Sequence, residues 1–355
     1  MVRDATLAGS MYADGVLLRQ FCTQRDVGSG LFLNFDDRSR AIKRPVDDLR
    51  HSSDALRVFE GEYFHAFDHR YATFINGRVR PTSIEEKQDP CFVATTATAL
   101  SRVDAEARWR ELADTPEWYV ALRRQASTTN ETTAIAAVLP FSGAEGSVSC
   151  FFGKGLDVET TSFLCAVLSS FAFNFVVRLR QSGANLSKGV YEQIPMPDPE
   201  RVRAQWTDQP RYIDERVLEL SYCADDLRAY AEAAGHLGAP FRWDPSRREL
   251  LRAELDAALF HLYGLERGDV DYIMDTFPIV RRRDEQAHGE YRTKRLILEI
   301  YDELAEAIAT GRPYQTRLDP PPADPRVAHA ASGGSVDPTD AKADSRCSPP
   351  ETHVG

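Results

Sequence analysis

The feature that most constrains this chain is an uncharged stretch of 17 residues, Thr161 to Val177. About 17 apolar residues is the lower limit for a helix that crosses a bilayer. However, three serines and one asparagine lie inside the stretch, and Arg178 and Arg180 follow it directly. We therefore predict a buried core helix over residues 157–181 and no membrane partner.

A helix of this kind needs other elements to bury it, and 355 residues are enough for two or three domains. Residues 31–35 and 71–75 have the aromatic and alternating character of half-buried strands. The apolar run at 134–139, stopped by Pro140, is typical of a buried strand. From residue 214 to about residue 309 the apolar residues recur at helical spacing, which predicts helices.

These patterns predict an α+β fold class. We expect four parts in chain order: a β-containing domain (1–155), the core helix and the turn after it (156–200), a helical C-terminal domain (201–312) and a disordered tail (313–355). The tail is predicted because it contains eight of the twenty prolines and few large apolar side chains. Such a composition buries too little surface to offset the entropy of ordering.

Charge and cysteine usage restrict the function class. The net charge of −11 argues against non-specific nucleic-acid binding, because phosphate neutralisation supplies most of that affinity. A local basic surface on an acidic protein is still compatible with specific binding. The six cysteines include no Cys-x-x-Cys pair, which predicts neither a zinc site nor a disulfide framework but a reducing cytoplasm. The first residues do not have the pattern of a signal peptide.

Three ordered segments carry a resemblance to a known family. They are FEGEYFHAFDHRYAT at 59–73, WYVALRRQASTTNETTAIAAVLP at 118–140 and LSSFAFNFVVRLRQSGANLSKGVYEQIPMP at 168–197. A fourth stretch, 240–304, contains PFRWD, RAELDAALFHLYGL, DVDYIMDTFPIV and EYRTKRLILEIYDEL. Together they resemble the region after the catalytic domain in large adenine-specific DNA methyltransferases. These are the single-chain type II restriction–modification enzymes and the methylases of BREX and DISARM phage defence.

This resemblance implies a target-recognition region that binds double-stranded DNA, with a separate chain supplying the methyltransferase catalytic domain. Two departures remove positive charge from segments expected near DNA. Glu62 stands where the family usually has lysine, and Thr132 stands where it usually has arginine.

The motifs that methyl transfer requires are missing from the chain. Residues 26–30 (DVGSG) offer two glycines, but no strand leads into them, and we interpret them as a loop. Residues 89–92 (DPCF) resemble the Asn-Pro-Pro-Tyr/Phe loop that binds a flipped adenine, but Cys91 replaces the second proline. We therefore predict no catalytic residue and no cofactor here. S-adenosyl-L-methionine is expected only in the missing catalytic domain.

Two other kinds of site, a nuclease site and a histidine metal site, are weighed against structural roles for the same residues, and the structural roles are favoured. Asp68, Glu85 and Lys87 have the residue types of a nuclease D…E-x-K site, but the E-x-K lies in a sequence typical of a loop. His65 and His69 are spaced as metal ligands on a helix would be. The segment around them is typical of a strand or loop and offers no third ligand, so we favour structural or phosphate-contacting histidines.

The turn after the core helix carries the main candidates for DNA recognition. Arg178, Arg180 and Lys188 are suited to phosphate or guanine, whereas Gln181 and Asn185 are able to pair bidentately with adenine. An alternative for the two arginines is that they only offset the dipole at the end of the helix.

Four further residues complete the candidate set: His69, Arg70, Arg124 and Asn130. For these we expect a mixture of phosphate contacts and structural hydrogen bonds. The aromatic and acidic helical region is expected to be a packing or docking module. A rival function is therefore a protein-interaction module, or a truncated remnant of a defence complex, that does not bind DNA by itself.

Overall fold

Strands lie before residue 153 and most helices after it, and the predicted α+β class is confirmed. The computed structural model describes residues 16–18, 33–34, 55–112, 117–125, 130–152, 157–181, 183–186, 188–191, 193–197 and 209–330. The strands are β1 (Val16–Leu18), β2 (Leu33–Asn34), β3 (Ala55–Phe59), β4 (Ala72–Ile75), β5 (Arg78–Pro81), β6 (Thr98–Ser101), β7 (Trp118–Arg123), β8 (Ala136–Pro140), β9 (Gly143–Ala144) and β10 (Val148–Phe152). The α-helices are α1 (Ile84–Gln88), α2 (Arg102–Leu112), α3 (Val158–Ser169), α4 (Phe171–Arg180), α5 (Lys188–Tyr191), α6 (Tyr212–Ser221), α7 (Arg228–Ala233), α8 (Pro245–Leu262), α9 (Arg267–Asp275), α10 (Pro278–His288) and α11 (Arg292–Thr310).

The first sheet is antiparallel, with the strand order β1-β10-β7-β8, and both of its faces are covered. Along β7, Val120 and Leu122 belong to the core that contains α3. Tyr119 and Ala121 alternate with them and belong to a second core with Phe74 of the β4–β5 ribbon. A strand that is covered on both sides needs apolar residues at every position. This explains the uninterrupted apolar run of β8, which the sequence analysis predicted as a strand.

The second sheet has the order β2-β6-β3-β9, in which only β3 and β9 pair in parallel. Strands β4 and β5 form a separate antiparallel ribbon. The strand predicted over residues 71–75 is confirmed as β4. Of the strand predicted over residues 31–35, the structure describes Leu33–Asn34.

The apolar stretch is buried as predicted, but it forms two helices instead of one. Helices α3 and α4 meet at Ser170, whose backbone is extended (φ −74°, ψ 153°). The Ser170 hydroxyl accepts a hydrogen bond from the backbone N–H of Phe173 (3.2 Å) and so starts a new helix. Among the described residues no single helix is long and apolar enough to cross a membrane. Helices α3 and α4 have that length and composition only as a pair, which is bent by 57°.

The helical half packs onto the first sheet through α3. Helix α6 lies on α3, helix α4 lies on α8 and α9, and α8 and α11 pack along each other. One hydrophobic core therefore runs from Val120 in β7 through Leu164 in α3 to Leu259 in α8 and Ile300 in α11. The boundaries that we expected near residues 155 and 200 do not separate independent cores.

The expected disordered tail is the clearest correction to the domain prediction. Residues 313–330 are described and pack against the helical half, and residues 331–355 lie outside the described residues. Tyr314 and Leu318 are buried in the main core. The prediction is therefore wrong for residues 313–330.

Side chains of α8 supply the hydrogen bonds that this proline-rich segment cannot make within itself. Glu254 of α8 is fully buried and accepts from the Tyr314 hydroxyl (3.1 Å) and from the Arg317 backbone N–H (3.2 Å). Arg247 of the same helix donates to the carbonyls of Pro320 (2.7 Å) and Pro321 (2.9 Å).

Candidate nucleic-acid interface

The end of α4 is anchored to the strand-rich half from inside the core. Asn174 is buried, and its side-chain oxygen accepts hydrogen bonds from the backbone N–H groups of Thr133 (2.8 Å) and Ala134 (2.7 Å). The Asn174 amide group donates to the Ser170 carbonyl (2.9 Å). The chain that leads into β8 is thereby held against α4.

Beyond this anchor the structure brings the second and third resemblance segments together. Gln125, just after β7, forms an isolated β-bridge with Asn185. The backbone N–H of Leu186 donates to the Arg124 carbonyl (2.7 Å), and the Leu186 side chain is buried. The turn after α4 is therefore fastened to the end of β7.

Five of the predicted DNA-binding residues lie around this junction, and we call them the turn surface: Arg124, Asn130, Arg180, Gln181 and Asn185. Asn130, Arg180 and Asn185 are exposed. The half-buried Arg124 donates to the Gly146 carbonyl (2.9 Å), and Gln181 donates to the Gly183 carbonyl (2.8 Å).

Lys188, the next predicted residue along the chain, begins the short helix α5 directly after this turn. Its side chain lies outside the described part of the structure.

Arg178 is half-buried and makes several contacts within the chain, and its assignment as a DNA contact stays a prediction. Its guanidinium donates to the Thr133 hydroxyl (3.1 Å) and to the carbonyls of Thr276 (3.1 Å) and Asn130 (2.7 Å). It also lies 4.1 Å from the ring centroid of Phe277. Burial lowers the pKa of Arg178. The residue therefore joins α4, the loop before β8 and the end of α9.

His69 is buried and paired inside the protein, so its assignment as a DNA contact is wrong. Its Nε2 lies 2.7 Å from Asp226 Oδ1, and Arg57 Nη2 lies 2.6 Å from the other carboxylate oxygen. Burial alone would raise the pKa of Asp226, but His69 and Arg57 hold that pKa well below its ordinary value. The three side chains form a charged link between β3, the segment before β4 and the helical half.

Arg70 is likewise buried, with 1% of its surface exposed, and its assignment as a DNA contact is also wrong. Its guanidinium donates to the carbonyls of Lys87 (2.8 Å), Asp89 (2.8 Å), Phe92 (3.1 Å) and Cys223 (2.7 Å). Arg70 therefore closes the loop after α1 onto the helical half.

The D…E-x-K set forms an ion pair instead of a nuclease site. Lys87 Nζ lies 2.6 Å from Asp68 Oδ2, both side chains are buried, and Glu85 is exposed in the first turn of α1. The His65 ring lies 4.9 Å from the Tyr71 ring and is tilted by 32° to it, whereas His69 pairs with Asp226. Among the described residues, no group of three or more His, Cys, Asp or Glu side chains is arranged to hold a metal ion.

The DPCF sequence at residues 89–92 forms a turn in which Phe92 N–H donates to the Asp89 carbonyl (3.2 Å). The carbonyls of Asp89 and Phe92 accept from Arg70, and the Pro90 carbonyl accepts from Asp225 N–H (2.9 Å). These oxygens are therefore used within the chain. The DVGSG sequence at residues 26–30 lies outside the described residues.

Charge is distributed unevenly between the two halves. On the helical half several exposed cations pair with carboxylates, as in Arg267–Asp302 (2.7 Å) and Arg281–Glu285 (2.8 Å). By contrast, no acidic residue occurs in the sequence between Glu159 and Glu192, which includes α4 and the turn after it. The turn surface is thus locally basic on an acidic protein.

The two departures from the family fall in different environments. Glu62 is exposed, so its charge lies on the surface. Thr132 is buried, with 2% of its surface exposed.

A charged cavity lies at the start of α4, between α8, α10 and α11, and includes Arg252 and Asp256 in its lining. Its rim is closed by the pair of Arg283 with Glu131 (2.5 Å). Asp256 accepts a hydrogen bond from Phe171 N–H (2.8 Å). Burial raises the pKa of Asp256 to about 7, against the opposing effects of Phe171 N–H and Arg252.

Sequence reasoning did not single out several exposed residues next to the candidate segments. Leu179, between two arginines of α4, is 70% exposed. Ile75, Asn76 and Arg78 are exposed at the tip of the β4–β5 ribbon. One sequence signal was available for the ribbon, because no acidic residue lies between Asp68 and Glu85.

Comparison of the chain with models of protein families, with curated proteins and with solved structures finds no match.

Proposed function

We propose that this chain is the sequence-specific DNA-recognition portion of an adenine-specific DNA methyltransferase of a restriction–modification or phage-defence system. The catalytic domain, with its S-adenosyl-L-methionine, is supplied by another chain. The observation that carries the proposal is the turn surface, in which two distant segments bring Arg124, Arg180 and Asn185 to one junction. Such a role places the chain in the cytoplasm with its DNA.

The composition of the turn surface supports this proposal. Arg180 is exposed in an acid-free part of the sequence and is suited to a phosphate or to guanine O6 and N7. Asn130 and Asn185 are exposed amides of the type that pairs with adenine N6 and N7. The anchoring of α4 through buried Asn174 keeps these groups in place before binding, which lowers the entropy lost in the complex.

The test is salt-dependent binding of the full chain to a pool of random duplexes, followed by sequencing of the retained DNA. We expect one short sequence to be enriched and the affinity to fall as salt rises. Arg180→Ala is expected to weaken binding to all sequences. Asn185→Ala is expected to weaken binding to the enriched sequence by roughly 5- to 150-fold, the range for one bidentate base contact.

Arg281→Ala provides the matched control, because Arg281 is an exposed arginine that already pairs with Glu285 on α10. It is expected to bind as the unaltered chain does. Absence of retained DNA at low salt would refute the proposal. If Arg180→Ala and Arg281→Ala change the DNA affinity equally, the turn surface is not the DNA-binding surface.

The rival function, a protein-interaction module, is favoured by one observation. Several cations of the helical half are neutralised by neighbouring carboxylates, as at Lys294, which pairs with Asp271 (2.9 Å) and Asp275 (2.8 Å). These cations are better suited to an interface with a partner chain than to phosphate contact. If the chain retains no DNA alone but does so when the catalytic chain is added, the rival function is supported.

A further inference from the structure

The β4–β5 ribbon has a tip that is exposed and carries no acidic residue. Its two-residue turn is Asn76-Gly77, with positive φ at both positions (52° and 75°). Strand register places Ile75 directly opposite Arg78. All four of these residues are exposed.

At its tip the ribbon has one face in the core and one face outside, whereas nearer the base Thr73 is buried on the second face. Phe74 is buried in the second core, with Val79, its partner across the ribbon, packed against the same core. Because side chains alternate along a strand, Ile75 and Arg78 lie on the opposite face. An isoleucine that is 39% exposed at a hairpin tip contributes little to the core of this protein.

The base of the ribbon is held firmly. Phe74 N–H donates to the Thr95 carbonyl (2.9 Å), and Thr95 N–H donates to the Thr73 hydroxyl (3.0 Å). Arg80 of β5 pairs with Glu86 of α1 through two hydrogen bonds (2.8 and 2.5 Å). A turn with two left-handed residues also matches the natural twist of paired strands. These contacts fix the direction in which the ribbon leaves the core.

The charge of the β4–β5 ribbon favours binding to a polyanion. Arg78 makes no hydrogen bond or ion pair with any described residue. In a chain with a net charge of −11, the segment from His69 to Ile84 contains no acidic residue. Of its three arginines, Arg70 is buried and Arg80 pairs with Glu86, which leaves Arg78 for an outside partner. A cation held unpaired at the end of a rigid element is positioned for an anionic partner outside the protein.

The geometry points to the β4–β5 ribbon as a second DNA-reading element, whose tip enters the major groove of duplex DNA. Strands in a ribbon lie about 5 Å apart, and the major groove, about 12 Å wide, admits a two-stranded ribbon. Its tip offers three different kinds of base contact. The Arg78 guanidinium suits guanine O6 and N7, the Asn76 amide suits adenine N6 and N7, and Ile75 suits the thymine methyl group.

This inference rests on the proposed function, and its test starts from the sequence enriched by the unaltered chain. Three full-length variants are compared on that duplex: Arg78→Ala, Asn76→Gly, which retains the left-handed backbone, and Ile75→Ser, which removes the methyl groups that would contact thymine. We expect the first two to lower the affinity at least about fivefold and to relax the enriched sequence at one position each. Thermal unfolding of each variant at the same midpoint as the unaltered chain shows that the fold is retained.

Modified DNA supplies a readout that is specific for the major groove. Replacement of each thymine by uracil removes only the methyl group, and replacement of guanine by 7-deazaguanine removes only the N7 acceptor on the major-groove edge. We expect one uracil position to weaken binding by the unaltered chain but not by Ile75→Ser, and one 7-deazaguanine to weaken binding by the unaltered chain but not by Arg78→Ala.

The outcomes separate the two proposals. If the unaltered chain enriches a sequence and all three ribbon variants bind it as Arg281→Ala does, the ribbon inference is overturned and the proposed function stands. If the unaltered chain retains no DNA even at low salt, the proposed function is overturned and the ribbon inference falls with it.

Discussion

At the residue scale, buried charged side chains join the two halves of the molecule. Arg70 donates to carbonyls of the loop after α1 and, across the boundary, to the Cys223 carbonyl of the helical half. Lys87 pairs with Asp68 beside it, and its ammonium lies 4.4 Å from the Trp243 ring centroid. Arg70 satisfies several carbonyls, and Lys87 satisfies the Asp68 carboxylate, which would otherwise be buried without these partners.

Arg70→Lys is expected to destabilise the chain by roughly 2–4 kcal/mol. Lysine keeps the charge but lacks the planar set of donors that reaches several carbonyls at once, so buried acceptors lose their partners. Chemical denaturation measures the change. Arg281→Lys, at an exposed position, is the control and is expected to change stability by less than about 1 kcal/mol. An equally small change for Arg70→Lys would contradict the structural role.

Asp256 is expected to make stability depend on pH. Burial raises its folded pKa from the ordinary value of 3.8 to about 7, so the folded state holds a proton that the unfolded chain loses between these values. The contribution of Asp256 to stability is therefore greatest below pH 4 and declines as the pH rises to about 7.

Asp256→Asn keeps an acceptor for Phe171 N–H and removes the buried charge. At pH 8 it is expected to raise the free energy of unfolding by a few kcal/mol, at roughly 1.4 kcal/mol for each pH unit between the two pKa values. The gain is expected to shrink towards pH 4. Denaturant titrations at pH 5 and pH 8 measure it, and a gain of the same size at both values would show that Asp256 does not titrate as argued.

At the element scale, the break between α3 and α4 determines where the turn surface lies. A continuous helix through Ser170 would direct the following turn differently, since the two helices are bent by 57°. Ser170 caps α4 from within the chain, and Asp256 accepts from the first N–H of that helix. Asn174 then ties α4 to the segment before β8.

Asn174→Ala is expected to cost roughly 2–4 kcal/mol, because the N–H groups of Thr133 and Ala134 lose their acceptor in a buried site. Hydrogen exchange is expected to accelerate at residues 130–134 and 183–186, on both sides of the turn surface. Asn185→Ala, the same substitution at an exposed position, is the control for stability. Unchanged exchange in both segments of Asn174→Ala would refute the anchoring role.

At the scale of the whole molecule, the segment after α11 completes the helical half. Glu254 is fully buried and pairs with Arg216 of α6 (2.7 Å), and it also accepts from Tyr314 and Thr316 of this segment. Glu219 of α6 accepts from the backbone N–H of Ala323 (2.8 Å). Two buried carboxylates thus depend on residues that follow Gly311.

A chain that ends at Gly311 is expected to unfold at a lower temperature than the full chain, because Glu254 and Glu219 lose donors in the interior. The loss is expected to be several degrees in a thermal scan. Tyr314→Phe, which removes one hydroxyl donor to Glu254, is expected to have a smaller effect in the same direction. Identical midpoints for the full and shortened chains would show that the segment contributes nothing to the fold.

The local spacing of apolar residues in the sequence determined a large part of the fold. The α+β class, the strand after residue 134, the strand at 71–75 and the burial of residues 161–177 follow from the spacing and length of apolar runs. These properties depend on neighbours within a few residues, because the repeat of a strand or helix is short. The turn after α4 was also found as a cluster of polar and basic side chains, since its composition is local.

Only the tertiary structure decided which polar and basic side chains face inward. His69 meets Asp226 across 157 positions of sequence, and Arg70 meets Cys223 across 153. The order of residues 313–330 likewise depends on donors and acceptors of α6 and α8, and a composition that predicts disorder does not contain that information. A buried charge is stable only when a distant part of the chain supplies its partner. No local pattern shows whether that partner exists.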